Sequence, residues 1–566
     1  MNTHTQHPST GRWFGFRPRT LIALALLIAL GAGALGADLA LHGRVYDLLW
    51  ETTGETEPAA QLLGFAQYLM RWTRTQPRTE PYADVPLANF NPFGVNTFLD
   101  QEVLPERRER QVRMIAEAGF GWIRQAFRWE DIEIAGKGDF TDRRNDLDGD
   151  GQITEADAVS AWAKYDHIVD LAEQYGLQIL VRLSAPPRWS QPPGTTNPYT
   201  PPADVQDFVD FAVAVARRYQ GRLHYYQIWN EPNLYPEWGD QTVSAEGYTE
   251  MLCRTYRALK AVDPQIVVVT GAIGPTVDLS GRNAYDLLYV QRMYQAGAGD
   301  CFDVLSVQGY GLWSGPTDRR LRQVTVNFQR HVWLRDVMIA NGDAHKPIWI
   351  SEAGWNPVPN DPAIADLNRY GRVSEQQAAE WAPLAYARAI REWPWLGPTF
   401  WWYFKRADTS EQGQSWYYFR LLEPDFTPTP TWEALRAYIG NGEPKTLGAG
   451  RHGVWRAAPH VDADGTLTLR IRGTGVGLCF AEGGAARVRI DGGAARTFEA
   501  TAGACVWLAR DLRGGEHTVR VSGALPESVL VLDWRWRHAL PWLLTGAVAL
   551  GLFAGVGVAI WRARRS

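Results

Sequence analysis

Residues 225–233 read YYQIWNEPN, and residues 348–355 read IWISEAGW. Each stretch begins as a short apolar run, which is typical of a strand buried on both faces. Each run then ends in polar residues that include a glutamate. In a barrel of parallel strands, the residues at the carboxyl ends of the strands form the functional site. These two stretches therefore indicate the fold of the middle of the chain and the place where its chemistry is to be sought.

Similar apolar runs recur through residues 90–440 and alternate with amphipathic helical stretches, a pattern that predicts βα units and a parallel sheet. The eight predicted strands cover Phe93–Leu99, Trp122–Trp129, Leu177–Leu183, His224–Trp229, Ile266–Gly271, Val304–Gln308, Ile348–Ser351 and Thr399–Phe404. Predicted helices include Ser160–Tyr175, Val205–Tyr219, Tyr248–Val262, Glu375–Glu392 and a closing helix near Trp432–Ile439. Eight such units favour a closed (β/α)8 TIM barrel over residues 89–442 rather than a doubly wound open sheet.

The pattern changes after Asn441 and Gly442. Residues 443–536 alternate between apolar and polar side chains and contain glycine-rich turns. This part of the chain is predicted to be a small all-β domain, a β-sandwich.

Two apolar segments flank these domains. Residues 539–561 are long enough to cross a bilayer and precede the basic tail 562–566, so we predict a transmembrane helix there. Residues 21–41 are predicted to be a second span or signal anchor, although Ala32–Ala34 would also suit signal-peptide cleavage. Basic residues beyond both outer ends place segment 1–20 and the tail in the cytoplasm. The folded domains would then lie outside it at the cell membrane, after a linker at 42–88.

Composition excludes some partners and leaves other questions open. A net charge of -5 with 21% charged residues argues against nucleic acid as a partner. The 26 tryptophans suit either a large core or platforms on which sugar rings stack. The four cysteines, two in each predicted domain, suit either two disulfides within the domains or four buried thiols. Protein partners cannot be inferred from the sequence.

Glu231 and Glu352 end predicted strands four and seven, which lie on opposite sides of an eight-stranded barrel. Their side chains are therefore expected to face each other across its mouth. Hydrolysis of a glycosidic bond needs such a pair, because one carboxyl donates a proton to the leaving oxygen while the other, ionised, attacks the anomeric carbon. The pair predicts a glycoside hydrolase acting on a carbohydrate.

Residues 90–441 resemble the clan A glycoside hydrolases, which carry their two catalytic residues on strands four and seven. The segment Trp229–Asn233 is similar to that of glycoside hydrolase family 39 and of bacterial exopolysaccharide-associated hydrolases. The resemblance implies Glu231 as acid/base, Glu352 as nucleophile and Asn230 as the residue that hydrogen-bonds the sugar 2-hydroxyl. It implies a retaining reaction without a catalytic cofactor.

Further residues are assigned from their places on the predicted strands and from the resemblance. Clan relatives often place a tyrosine after strand six that donates to the nucleophile, which implies this role for Tyr310. They also often use a strand-eight tryptophan beneath the reacting sugar, and here Trp401 is preferred to Trp402. Arg124 on strand two is a cation expected to keep Glu352 ionised. The remaining substrate-binding predictions are Asn96 and Trp355.

An acidic stretch within the barrel follows the register of an EF-hand calcium loop, residues 146–157. Acidic residues fill positions 1, 3, 5 and 12, Gly151 fills position 6 and an apolar residue fills position 8. The predicted ligands are Asp146, Asp148, Asp150, Gln152 through its backbone carbonyl, and Asp157. A bound Ca2+ is expected to rigidify this insertion rather than to take part in catalysis.

The sequence therefore predicts a membrane-anchored, retaining glycoside hydrolase acting outside the cytoplasm on an oligo- or polysaccharide, with a link to exopolysaccharide processing. Two alternatives remain. A transglycosylase would share the covalent intermediate and differ only in its acceptor. A non-catalytic glycan-binding scaffold would have the same barrel but no need for both carboxylates.

Overall fold

The computed structural model describes residues 18–147, 149 and 151–533. Its central feature is a sheet of eight parallel strands at residues 93–401. The strands are β1 Phe93–Thr97, β2 Trp122–Arg128, β3 Gln178–Ser184, β4 Tyr225–Ile228, β5 Val267–Thr270, β6 Leu305–Tyr310, β7 Ile348–Gly354 and β8 Leu396–Trp401. All eight overlap the strands predicted from the sequence.

The sheet order is β5-β4-β3-β2-β1-β8-β7-β6. Its two edges meet through parallel bridges that join Val269 to Val304 and Ile273 to Val307. The sheet is therefore a nearly closed barrel, and the (β/α)8 architecture is confirmed.

Helices surround the barrel and connect its strands. Those that precede it are α1 Pro18–Ala40, α2 Arg44–Thr53 and α3 Pro58–Met70. Those within it are α4 Pro105–Glu117, the short α5 Trp129–Ile132, α6 Ala163–Gln174, α7 Val205–Arg218, α8 Ala245–Val262, α9 Asp286–Gln295, α10 His331–Ala340, α11 Glu375–Glu392 and α12 Pro430–Ile439. The helix α11 matches its predicted bounds, and the other four predicted helices differ by a few residues at their ends.

The lower part of the barrel interior is filled by large apolar side chains, so it is a core and not a channel. Six buried residues form this cluster: Trp122, Leu180, Val269, Val304, Trp349 and Phe400. Phe90 closes it from below, with its ring edge-on to Trp122 at 5.4 Å between centroids. Because side chains alternate along a strand, the inward residues two positions further on lie nearer the mouth, and these are largely polar.

The segment predicted to be a linker, residues 42–88, contains α2 and α3 and packs on the barrel surface. The turn between α2 and α3 packs on the loop that follows β6, where the Gly315 amide donates to the Gly54 carbonyl at 2.7 Å. A Cβ on Gly54 would lie 2.8 Å from the Gly315 backbone, and Gly54 has a positive φ of 67°. Arg320 and Glu55 pair across the same contact at 2.6 Å.

The C-terminal domain consists of two sheets built from ten strands. The strands are β9 Thr446–Leu447, β10 Gly450–Gly453, β11 His460–Val461, β12 Leu467–Arg472, β13 Gly475–Phe480, β14 Gly484–Ile490, β15 Arg496–Ala500, β16 Ala504–Ala509, β17 Glu516–Gly523 and β18 Ser528–Leu532. One sheet has the order β9-β12-β17-β14-β15, with β11 beside β12, and the other has the order β10-β18-β13-β16. The domain contacts the carboxyl end of α11, where the Gly448 amide donates to the Arg391 carbonyl at 3.1 Å. It therefore lies at the end of the barrel opposite the mouth.

The structure forms two disulfides, Cys253–Cys301 in the barrel and Cys479–Cys505 in the C-terminal domain. The sequence left open either two disulfides or four buried thiols, and the structure has the two disulfides.

The predicted membrane segments are only partly described. Segment 539–561 and the basic tail lie outside the described residues, as do residues 1–17. Within residues 18–533, no single helix is both long and apolar enough to cross a bilayer. Ala25–Ala40 and Arg44–Thr53 satisfy length and composition only when taken together, and they meet at a bend of 69°.

Candidate active site

Glu231 lies in the turn that leaves β4 at the mouth of the barrel. The chain turns sharply here, since Trp229 and Glu231 both have positive φ angles, 76° and 27°. Such angles are costly for residues other than glycine and occur mostly where the surrounding structure imposes them. A Cβ on Gly274 would lie 2.9 Å from Glu231 Oε1, so the absence of a side chain at Gly274 provides space for this carboxyl.

Glu352 lies on β7 and is held by three side chains, two from the adjacent strand β6 and one from β2, which is not adjacent to β7. Arg124 Nη1 donates to Glu352 Oε1 at 2.7 Å. The other oxygen, Oε2, accepts from Tyr310 Oη and Gln308 Nε2, both at 2.9 Å. Charge-assisted hydrogen bonds of this kind favour the ionised carboxylate and fix its direction.

Arg124 connects most of this site. Besides Glu352, its guanidinium donates to Gln227 Oε1 at 2.7 Å, Asn96 Oδ1 at 2.8 Å and Asn230 Oδ1 at 2.7 Å. Burial lowers the pKa of Arg124 to about 10, with Glu352 opposing the shift, so the guanidinium stays charged at neutral pH. It therefore fixes Glu352 on one side and Asn230, the neighbour of Glu231, on the other.

The two catalytic candidates differ in their electrostatic surroundings. Burial raises the pKa of Glu231 well above its ordinary value, and the negative charges of Glu352 and Glu237 raise it further. Arg124 and a hydrogen bond from Gln308 only partly oppose this. Gln308 therefore acts on the electrostatics of both carboxyls, by its hydrogen bond to Glu352 and by lowering the pKa of Glu231. Burial and like charge therefore favour the protonated form of Glu231, whereas Glu352 is paired with the Arg124 guanidinium.

Three polar residues at the mouth were missed by the sequence analysis. Glu237 follows β4. Burial raises its pKa, and the charge of Arg182 and a hydrogen bond from Asn230 oppose this shift. Arg182 aligns with Gln227 on the adjacent strand, and its Nε is buried without a hydrogen-bond partner. Gln308 was missed as well, although it precedes Tyr310 by two positions on β6 and therefore has the same orientation.

Two predicted substrate-binding residues, Trp401 and Trp355, lie away from the cleft. Trp401 is buried between the sheet and the helices, 6.4 Å from Tyr386 on α11 between ring centroids. Phe400 points into the barrel, and side chains two positions apart on a strand point the same way. Trp402 therefore points inward and is the strand-eight tryptophan at the mouth. Trp355 is equally buried, and its Nε1 donates to the Ser314 carbonyl at 2.8 Å.

Asn96 and Arg124 are both buried, and Arg124 donates to Asn96 as well as to Glu352. Asn96 Nδ2 donates to the Ser351 and Trp401 carbonyls, which leaves its oxygen to accept from Arg124. Asn230 is also buried, yet it directly precedes Glu231 and hydrogen-bonds both Arg124 and Glu237. Its contact with a sugar hydroxyl stays a prediction.

The predicted calcium loop is described only in part, because Asp148 and Asp150 lie outside the described residues. Asp146 accepts from the amides of Gly149 and Gly151 at 2.7 and 2.8 Å. Asp157 accepts from the amide of Leu147 at 2.7 Å, and Gln152 lies between these residues in sequence. Among the described residues, no group of three or more His, Cys, Asp or Glu side chains is arranged to hold a metal ion. Calcium binding stays a prediction.

Comparison with known proteins identifies the type of barrel. Residues 83–326 match the family model described as cellulase, glycosyl hydrolase family 5, which belongs to clan A. This stretch contains β1 to β6 and therefore Glu231, and it ends before Glu352. The resemblance to the clan A glycoside hydrolases is thereby confirmed. No curated protein matches the chain.

Several solved structures are similar to this chain at low sequence identity. A family 39 glycoside hydrolase from Bacteroides cellulosilyticus WH2 is 17% identical, with 78% of this chain and 82% of that chain covered and a TM-score of 0.46. A family 39 enzyme from Xanthomonas axonopodis pv. citri is 15% identical, with 80% and 98% covered and a TM-score of 0.43. A family 39 β-xylosidase from Caulobacter crescentus is 16% identical, with 78% and 98% covered and a TM-score of 0.43.

Proposed function

We propose that this clan A barrel is a retaining glycoside hydrolase in which Glu352 is the nucleophile and Glu231 the acid/base. The observation that carries the proposal is the difference between the electrostatic surroundings of the two carboxyls. Glu352 receives a buried cation and two further hydrogen bonds, whereas burial and like charge keep the proton on Glu231. Retaining enzymes hold their two carboxyls about 5–5.5 Å apart. The charge of Glu352 raises the pKa of Glu231, which supports such a short separation.

The reaction then proceeds by double displacement. Glu352 attacks the anomeric carbon while Glu231 gives its proton to the departing oxygen, which leaves a glycosyl ester on Glu352. Glu231, now ionised, takes a proton from water, and the resulting hydroxide equivalent attacks the anomeric carbon and releases Glu352. Tyr310 and Gln308 hold Glu352 Oε2 during both steps, and Arg124 holds Oε1. If a sugar hydroxyl replaced water as acceptor, the same site would perform transglycosylation.

The variants Glu231→Ala and Glu352→Ala test this assignment with 2,4-dinitrophenyl glycosides, whose leaving group needs no proton. Glu231→Ala should form the glycosyl-enzyme and then stall, and azide should restore turnover with retained configuration. Glu352→Ala should form no covalent intermediate, and azide should give a product of inverted configuration. The same azide product from both variants would refute the assignment, and an unreactive barrel that still bound glycans would favour the scaffold alternative.

We further propose that the enzyme is attached to the cell membrane and acts outside the cytoplasm on a polysaccharide, in exopolysaccharide processing. The apolar helix α1, the apolar segment 539–561 and the basic residues beyond them support this topology. Both disulfides suit an oxidising compartment. Protease added to intact spheroplasts should then degrade residues 90–530, and full protection would refute the topology.

The calcium site at residues 146–157 remains part of this proposal as a structural element. The support is the sequence register, since carboxylates at alternate positions followed by glycine are the ligand pattern of such loops. The loop belongs to an insertion between β2 and α6 whose ends pair as a short ribbon, Thr141–Asp142 with Val159–Ser160.

A further inference from the structure

The helix α3 exposes several large apolar side chains and buries a polar one, unlike an ordinary surface helix. Its side toward the protein contains Gln61 and Gly64, both buried. Its outer side contains a stripe of large apolar side chains with exposed fractions between 46% and 65%: Leu62, Leu63, Leu69 and Met70. A helix that rests on a soluble protein directs its apolar stripe inward. The outward stripe therefore needs an apolar partner.

The contacts on the inner side show that this orientation is well determined. Gln61 Nε2 donates to the Glu55 carbonyl at 2.9 Å, so the buried amide has a partner. A Cβ on Gly64 would lie only 3.0 Å from the Thr53 side chain, so α2 and α3 cross closely at this glycine. Turning α3 over would leave the Gln61 donor without its partner and force a leucine into the space at Gly64. The apolar stripe consequently has to face away from the barrel.

The apolar surface extends beyond α3 toward the amino terminus. Leu41 is 82% exposed, and Val45 and Leu48 are exposed on α2. Exposed leucines and isoleucines then continue along α1, the most apolar helix of the described chain. The Asp38 carboxylate accepts from the amides of Val45 and Tyr46 at 2.9 and 3.0 Å, which fixes the turn between α1 and α2.

Cations flank this surface at both ends of the α2–α3 pair. Arg44 is exposed at the start of α2, and Arg74 is exposed just after α3. An apolar helical face bordered by arginines suits the boundary between lipid tails and headgroups, where the tails accept the leucines and anionic headgroups accept the cations. Exposure to water would be favourable for the arginines but unfavourable for the apolar side chains of the stripe.

We propose that α2 and α3 lie in the surface of a lipid bilayer, with the stripe Leu62, Leu63, Leu69 and Met70 among the acyl chains. This inference rests on the membrane attachment proposed above and extends it from the anchor to the catalytic barrel. Because the α2–α3 turn is bonded to Gly315 and Arg320, the side of the barrel that bears this loop faces the membrane. The barrel then has a fixed orientation on the bilayer rather than moving freely on a tether.

The test uses the full chain with one added cysteine, since all four native cysteines are in disulfides. Leu63→Cys places a nitrobenzoxadiazole label in the stripe. Arg217→Cys, an exposed position on α7, places the same label across the barrel as the matched control. Both proteins are reconstituted with phosphatidylcholine–phosphatidylglycerol vesicles that contain a phospholipid spin-labelled near the headgroup, and fluorescence quenching is measured on the fraction that floats with the vesicles.

The label at position 63 should be quenched several-fold more strongly than the label at position 217. It should also be quenched more by the shallow spin label than by one at the end of the acyl chain, because an interfacial helix enters only about 5–10 Å. Equal quenching at the two positions in floating protein would overturn this inference and leave the anchor intact. Such a result would be expected if a second copy of the chain covered the stripe. Protein that did not float would overturn both the inference and the attachment.

Discussion

Arg124 and Glu352 form an ion pair of 2.7 Å that is almost completely buried beneath the barrel mouth. A buried ion pair is weak evidence of stabilisation, because desolvation of two charges offsets much of their attraction. Here each charge also has further hydrogen-bond partners, which makes the pair a rigid support for the proposed nucleophile. The structure therefore assigns this arginine a positioning role.

The variant Arg124→Met should lower both stability and turnover. It leaves Glu352 buried without a counter-charge, which typically costs about 3–5 kcal/mol in the free energy of unfolding. Arg335→Met is the matched control, because Arg335 is a buried arginine on α10, away from the site, that donates to three backbone carbonyls and forms no ion pair among the described residues. Urea unfolding and rates on aryl glycosides measure both effects. Equal losses in the two variants would show that the Arg124–Glu352 pair has no special role.

Tyr310→Phe should reduce turnover and should lower stability by no more than the energy of one hydrogen bond. The lost hydrogen bond is made to a charged group, which is worth about 1.5–3 kcal/mol and corresponds to a reduction of roughly 10- to 100-fold. Gln308 still holds the same oxygen, so activity should not vanish. Tyr386→Phe serves as control, because that hydroxyl donates only to the Gly94 and Thr399 carbonyls, away from the site. An unchanged rate in Tyr310→Phe would exclude a role for its hydroxyl.

Glu231 should make folding stability depend on pH. Its pKa in the folded protein lies above its ordinary value of 4.5, so the folded state binds the proton more tightly than the unfolded state. The unfolded state then has fewer bound protons, and stability falls as pH rises from about 4.5 through the folded pKa. Glu231→Gln removes this effect and should melt at a higher temperature than wild type at pH 8, with the difference shrinking toward pH 4. A difference independent of pH would contradict the raised pKa.

The two tryptophans at the end of β8 should respond differently to replacement by alanine. Trp401 is a core residue, so Trp401→Ala should cost about 3–5 kcal/mol of stability. Trp402 lies at the mouth, so Trp402→Ala should chiefly raise KM while the melting temperature changes less. Calorimetry and steady-state kinetics distinguish the two outcomes, and a raised KM only in Trp401→Ala would restore the prediction made from the sequence.

Calcium should stabilise the fold if the loop at 146–157 binds it. Chelation should lower the melting temperature of wild type, and Asp146→Ala combined with Asp150→Ala should abolish the response to chelator. The double variant is also expected to lose the hydrogen bonds that Asp146 accepts from Gly149 and Gly151, so only the chelator response is diagnostic. Identical melting of wild type with and without calcium would show that the loop is an acidic insertion.

Much of the barrel and part of its site could be predicted because the signals are local. Each strand is a short apolar run, and Glu231, Glu352, Tyr310 and Arg124 lie on or just after such runs. The choice of Trp401 over Trp402 failed because adjacent residues on a strand point to opposite faces. The sequence does not indicate which of these faces is inward. Only the structure shows that Phe400 packs in the barrel interior, and this contact identifies the inward face of the strand.

Contacts between distant parts of the chain could not be predicted. The docking of α2 and α3 depends on Glu55 meeting Arg320, which are 265 positions apart. Glu237 and Arg182 have no motif around them, and they matter only because the barrel closes and brings their strands to one mouth. The pairing of the cysteines was left open for the same reason.

The configuration of the first product tests the central claim most directly. Wild-type enzyme should be given the aryl glycoside that it cleaves fastest, and the anomeric proton of the released sugar should be followed by NMR before mutarotation. Double displacement through Glu352 predicts that the first sugar released has the same anomeric configuration as the substrate. Release of the inverted anomer would show that the second carboxylate activates water instead, and it would contradict the assignment of Glu352 as nucleophile.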